Sequence, residues 1–159
     1  MPTHSWASAD AKLIDRLGLE KIQGEVPQFE FSNSKSEVLN AGAFKSKILI
    51  LHFWATWCES CKKELPQLSK LQETMAGAEF IPLADDSKES VRAYLENSHL
   101  SMPGNILTSK SDNKKFIAWG IPMTYFISAN RNVFLRARGA KDWSQISTAD
   151  LQELNQILK

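Results

Sequence analysis

Cys58 and Cys61 are the only cysteines in this 159-residue chain, three positions apart in FWATWCESCKKELPQL (53–68). Thiols at this spacing close a small disulfide, share a metal, anchor a haem or pass electrons. A C-x-x-C disulfide closes a loop too small to constrain the unfolded chain much. Structural zinc needs four ligands, and there is no second cysteine pair. Haem attachment needs a histidine after the second cysteine, and Lys62 stands there. Copper(I) held by both thiolates with His52 or a methionine remains a metal alternative. Redox chemistry asks for something else, a thiolate stabilised by its place in the fold.

That place depends on the flanking elements. KILILHFW (47–54) is a nearly continuous apolar run, the pattern of a strand buried on both faces at the centre of an α/β sheet. Leu65, Leu68, Leu71 and Met75 then recur at helical spacing, so residues 59–75 read as an amphipathic helix, kinked at Pro66. Cys58 therefore falls at a strand-to-helix junction and Cys61 one turn further on. Free N–H groups and partial positive charge at a helix start favour thiolate over thiol. The first sulfur is expected to be exposed and the second tucked behind it. Cys58 would then attack a disulfide, and Cys61 would resolve the mixed disulfide.

The rest of the chain fits an α/β domain. Residues 8–22 read as an amphipathic helix carrying Leu13, Ile14 and Leu17. From Val26 to Leu39 the pattern gives a strand, a turn and a second extended piece. EFIPLA (79–84) is another strand, and Ser87 caps the helix after it. NILT (105–108) gives a short extended piece, and NKKFIAW (113–119) a short helix ending at Gly120. MTYFIS and NVFLRAR form a hairpin through 129–131, with positive φ expected at Asn132. Ser147 or Thr148 caps a last helix bearing Leu151, Leu154 and Leu158. This order implies a mixed sheet with helices on both faces.

Composition narrows the class further. Nineteen basic and 18 acidic side chains leave a charge of +1 with no basic cluster, so nucleic acid is not an expected partner. No stretch approaches the roughly 18 consecutive apolar residues of a membrane span. No basic-then-apolar leader precedes residue 18, leaving a cytosolic protein or one whose export segment has been removed.

Two segments carry a resemblance. FWATWCESCKKELP is similar to the active-site segment of the thioredoxin superfamily, most of all to its exported TlpA/ResA branch. WGIPMTYFI (119–127) resembles the branch's Gly-x-Pro-x-Thr-x-Phe-Ile segment. The likeness spans about residues 25–159. It implies a thioredoxin fold with an N-terminal helical extension (1–24) and a central βα insertion at about 85–118.

The resemblance implies roles residue by residue. Pro122 would be cis, and Ile121 would pair its main chain with an extended substrate segment. Trp57, with Trp54 and Pro122, would rim Cys58. Glu64 matches a glutamate of ResA-like proteins, a carboxylate that raises thiol pKa and exchanges a proton with Cys61. His52 departs from the pattern, because thioredoxin has a buried aspartate there. It would be enclosed, held neutral, and able to take the Cys61 proton or serve only as core. Ser128 and Asn132 are lesser departures.

The pair Glu59-Ser60 lacks the histidine of strongly oxidising members, so a reducing centre is expected, on the order of −200 to −270 mV. The expected protein is a monomeric, extracytoplasmic thiol-disulfide oxidoreductase that needs no cofactor beyond its dithiol. Its family-suggested roles are cytochrome c maturation or copper-site assembly. With no nicotinamide or flavin motif, an upstream membrane thiol reductant would recharge it. The alternative is a copper-binding or partner-docking module with little turnover. Peroxidase chemistry is disfavoured, because peroxiredoxins resemble the fold but lack this C-x-x-C placement.

Overall fold

Burial at every position of Ile48–Trp54, apolar except for His52, and at nearly every position of the strands Ala78–Ala84 and Met123–Ile127 beside it dictates a sheet covered on both sides. A computed structural model describes residues 6–159. In chain order it contains α1 (Ser8–Arg16), β1 (Glu20–Lys21), β2 (Glu30–Ser32), β3 (Val38–Asn40), β4 (Ile48–Trp54) and α2 (Glu59–Thr74). There follow β5 (Ala78–Ala84), α3 (Lys88–Ser98), β6 (Ile106–Leu107), α4 (Asn113–Phe116), β7 (Met123–Ile127), β8 (Phe134–Arg138) and α5 (Thr148–Leu158). Short 3-10 turns occupy Ala41–Phe44 and Trp143–Gln145.

The strands make one eight-stranded sheet in the order β1-β8-β7-β4-β5-β6-β2-β3. β4 runs parallel to β5 and antiparallel to β7, so the sheet is mixed. Alternation along β4 divides the core. Ile48, Ile50 and Trp54 face Leu13 of α1, Leu65 and Leu68 of α2, Val91 of α3 and Leu154 of α5. Leu49, Leu51 and Phe53 face a second layer built on Phe29, Phe31, Phe116 and Tyr125. Four helices therefore lie on one side, while the other carries α4 and an aromatic cluster. In that cluster Phe53 stacks on Phe116 at 5.1 Å, with Tyr125 edge-on to both.

Several local expectations need correction. The first helix ends at Arg16, not near residue 22, because Gly18 adopts φ +70°. Gly18 N–H bonds to the Asp15 carbonyl and Leu19 N–H to that of Ile14, the Schellman pattern that ends a helix. The chain then turns extended, and Glu20–Lys21 pairs with β8. In the β7–β8 hairpin the positive φ, +66°, belongs to Arg131 rather than Asn132. Arg131 is held there by guanidinium bonds to the carbonyls of Phe44, Lys47 and Ser128. The helix near 113–119 stops at Phe116. The caps on α3 and α5 form as expected, with Ser87 accepting from Ser90 N–H and Ser147 from Asp150 N–H.

Candidate active site

β4 ends at Trp54, and four residues later Cys58 takes extended backbone angles as the N-cap of α2. Its Sγ accepts the Cys61 N–H at 3.3 Å, while its carbonyl accepts from Lys62 N–H. A sulfur in the cap position lies in the partial positive charge of the helix start, which favours its thiolate. Cys58 and Cys61 are joined as a disulfide with Cα atoms 5.3 Å apart. Cys58 retains 8% exposure and Cys61 none. The order of access is the expected one, but Cys58 is more recessed than foreseen because its sulfur turns inward to cap the helix.

Asp86 braces the loop before Cys58. Its Oδ2 accepts from Thr56 N–H at 2.9 Å and from the Thr56 hydroxyl at 2.5 Å, and its Oδ1 accepts from Ser87 N–H. Burial opposes ionisation of Asp86, but these three bonds outweigh it and hold the carboxyl below its usual range. Across the sheet, Phe53 is paired with Met123. Extending that register by one residue places Pro122 opposite Trp54, at the disulfide end of the sheet. The Ile121–Pro122 bond is cis. Of the aromatic residues considered for the rim, Trp54 is core (1% exposed) and packs on Tyr94, whereas Trp57 is 71% exposed.

Glu64 is no solvated helix residue; it is 2% exposed. Oε1 accepts the Trp143 indole N–H at 2.6 Å, and Oε2 has no hydrogen-bond partner among the described residues. Burial pushes its pKa up to about 7, against the Trp143 bond and the nearby Lys141 amide and ammonium, which favour the charged form.

His52 lies fully buried on the same strand face as Trp54. Its Nε2 is 3.2 Å from the Cys61 carbonyl, an acceptor, so Nε2 carries the proton; Nδ1 then accepts from the Thr124 hydroxyl at 2.9 Å. Both ring nitrogens thus have hydrogen-bond partners, the Thr124 hydroxyl and the Cys61 carbonyl. Burial pushes the ring pKa down to about 4. Among the described residues no three His, Cys, Asp or Glu side chains cluster to hold a metal ion.

The structure brings Cys58, Cys61, Glu64, His52, Trp57, Ile121 and Pro122 to one end of the sheet and of α2. Sequence reasoning missed Asp86, Thr124, Trp119 and Trp143. Two of them carried a local signal: Thr124 is the threonine of the resembling segment, and Trp119 stands three residues before its proline.

The comparisons agree with this geometry. The chain is 29% identical over 116 residues to the thioredoxin-like protein YneN of Bacillus subtilis, covering 70% of this chain and 67% of that protein. It is 26% identical over 129 residues to thiol-disulfide oxidoreductase ResA of Bacillus thuringiensis subsp. konkukian, covering 79% and 75%. A secreted thiol-disulfide isomerase from Corynebacterium glutamicum superposes with a TM-score of 0.66 at 15% identity, over 98% of each chain, which establishes the thioredoxin-type fold. The AhpC/TSA family model matches residues 22–136, well over half the chain and both halves of the site, and the chain belongs to the AhpC/TSA family of thioredoxin-like proteins.

Proposed function

We propose that the protein is a thiol-disulfide oxidoreductase that reduces disulfides in client proteins. The observation that carries this reading is Cys58 Sγ in the cap position of α2, bonded to the fully buried Cys61. In the reduced form the Cys58 thiolate attacks one client sulfur, and the client S–S bond breaks to release a thiolate. The Cys61 sulfur, as thiolate, then attacks Cys58 Sγ, forming the Cys58–Cys61 disulfide and releasing the second client sulfur. Two electrons pass to the client, whose sulfurs take up one proton that leaves Cys61 and one from solvent. Glu64, buried one turn beyond Cys61 with one oxygen unpartnered, is the group suited to accept the Cys61 proton. We assign His52 a positioning role, because its Nε2–H holds the Cys61 carbonyl.

Glu59 is paired with Lys62 and largely exposed, so its charge is partly neutralised near Cys58. The helix start is therefore opposed chiefly by Glu64, which fits a reducing centre between thioredoxin and glutaredoxin. Extracytoplasmic work suits the likeness to a secreted protein. Clients in cytochrome c maturation or copper-site assembly, and recharging by a membrane thiol reductant, complete the proposal.

Insulin reduction tests it. Reduced protein should precipitate insulin B chain, and Cys58→Ser should abolish the reaction. Equilibration with glutathione redox buffers should return a potential on the order of −200 to −270 mV. Inert thiols, or a potential near that of a strong oxidant, would overturn the reading.

A further inference from the structure

Three large apolar side chains are exposed among the described residues: Val38, Trp57 and Trp119. Val38 is on the far edge strand β3, but both indoles belong to the disulfide end. Trp57 immediately precedes Cys58, and Trp119 stands three residues before the cis proline. Trp119 is 69% exposed yet not loose. The Arg138 guanidinium lies over its ring, 4.9 Å from the centroid. Arg138 Nη2 in turn donates to Glu20 Oε2 at 3.1 Å, and Arg136 Nη2 donates to the same oxygen at 2.7 Å. The N-terminal strand β1 thus fixes Arg138, and Arg138 fixes the indole. Between Trp119 and Ile121, Gly120 turns the chain at φ +98°. The Ile121 main chain makes no hydrogen bond to another described residue, although Pro122 next to it already accepts from Gly139 N–H.

We propose that Trp119 is a specificity-determining residue, acting with Trp57 to select extended client segments that carry an apolar side chain two positions from the reactive cysteine. The inference rests on the oxidoreductase reading and names its substrate class. Its logic is geometric. A client strand laid along the unpaired Ile121 main chain sends alternate side chains to the same face. The side chains two positions either side of the client cysteine therefore point toward the surface that carries Cys58. That surface offers two exposed indoles. An aromatic or branched aliphatic side chain there would cover the indoles, whereas a polar one would desolvate without a partner.

The test uses two synthetic peptides, each carrying one cysteine as its mixed disulfide with glutathione. They differ only in having Phe or Ser two positions on either side of that cysteine. The intact reduced protein, recycled by dithiothreitol, is assayed for kcat/KM on both after subtracting the direct dithiothreitol reaction. Wild type should prefer the Phe peptide by about tenfold, and Trp119→Ala should cut that preference to about twofold. Arg138→Ala, which frees the indole without removing it, should give an intermediate ratio. Equal rates on both peptides in wild type, or an undiminished preference in Trp119→Ala, would overturn the assignment of Trp119 while leaving the redox reading intact. Failure of wild type to reduce either peptide or insulin would remove the redox reading and this inference with it.

Discussion

The Trp143 indole N–H donates to Glu64 Oε1 over 2.6 Å, tying the 3-10 turn before α5 to the helix that bears both cysteines. Trp143→Phe keeps a ring against Phe126 but removes the donor. The Glu64 carboxylate then loses its only side-chain hydrogen bond among the described residues, and its pKa should rise beyond about 7. A hydrogen bond to a charged group is worth about 1.5–3 kcal/mol, so the rise should be about one to two units. Carbon-13 NMR titration of the Glu64 carboxyl reads it directly. The alkaline shift should be absent from Trp143→Phe in a Glu64→Gln background.

Glu64 and His52 pull stability in opposite directions over one pH range. The folded protein raises Glu64 from 4.5 to about 7, so it binds more protons than the unfolded chain and loses stability as pH climbs between those values. It lowers His52 from 6.5 to about 4, so the unfolded chain binds more protons and stability is lost as pH falls between those values. Each shift is worth roughly 3 kcal/mol across its range. Wild-type stability should therefore be nearly flat from pH 4.5 to 6.5. Glu64→Gln should show stability rising with pH there, and His52→Gln should show it falling. Urea denaturation at closely spaced pH values decides the matter; parallel curves for all three proteins would contradict it.

Thr124 holds the inner face of His52. Thr124→Val preserves shape on β7 but leaves Nδ1 without its hydroxyl donor inside the core. The expected cost is about 1–3 kcal/mol, measured as a lower urea midpoint with unchanged slope. If the ring also positions Cys61 through its carbonyl, the variant should resolve mixed disulfides more slowly than wild type in stopped-flow assays.

Cys61→Ala should leave clients bound covalently to Cys58. Non-reducing electrophoresis of extracts treated with this variant should show higher-mass species that dithiothreitol removes. Cys58→Ala should yield far fewer, because Cys61 is fully enclosed. A larger yield from Cys58→Ala than from Cys61→Ala would show that Cys61 is the attacking sulfur.

The parts of the fold that were legible in the sequence are those set by local pattern. KILILHFW could only be a strand enclosed on both faces, and the leucines after Cys61 could only line a helix. Together they fixed the cysteines at a helix start. The partners of the site came from far along the chain. Trp143 is 79 residues from Glu64, Thr124 is 72 from His52 and Asp86 is 30 from Thr56. No periodicity announces such contacts, since a lone tryptophan or aspartate reads the same whether it braces a site or faces solvent. For His52 one such contact supplies the argument for a positioning role: its ring nitrogens face the Thr124 hydroxyl and the Cys61 carbonyl.

The pairing of Glu20–Lys21 with β8 reaches beyond the redox site. Without those two residues β8 would offer its N–H and C=O groups to any passing chain, the condition under which sheets add strands from neighbours. The short strand therefore acts as a hem. It closes one margin of the sheet against self-association, and through Glu20 it keeps the arginine beneath the exposed indole in place.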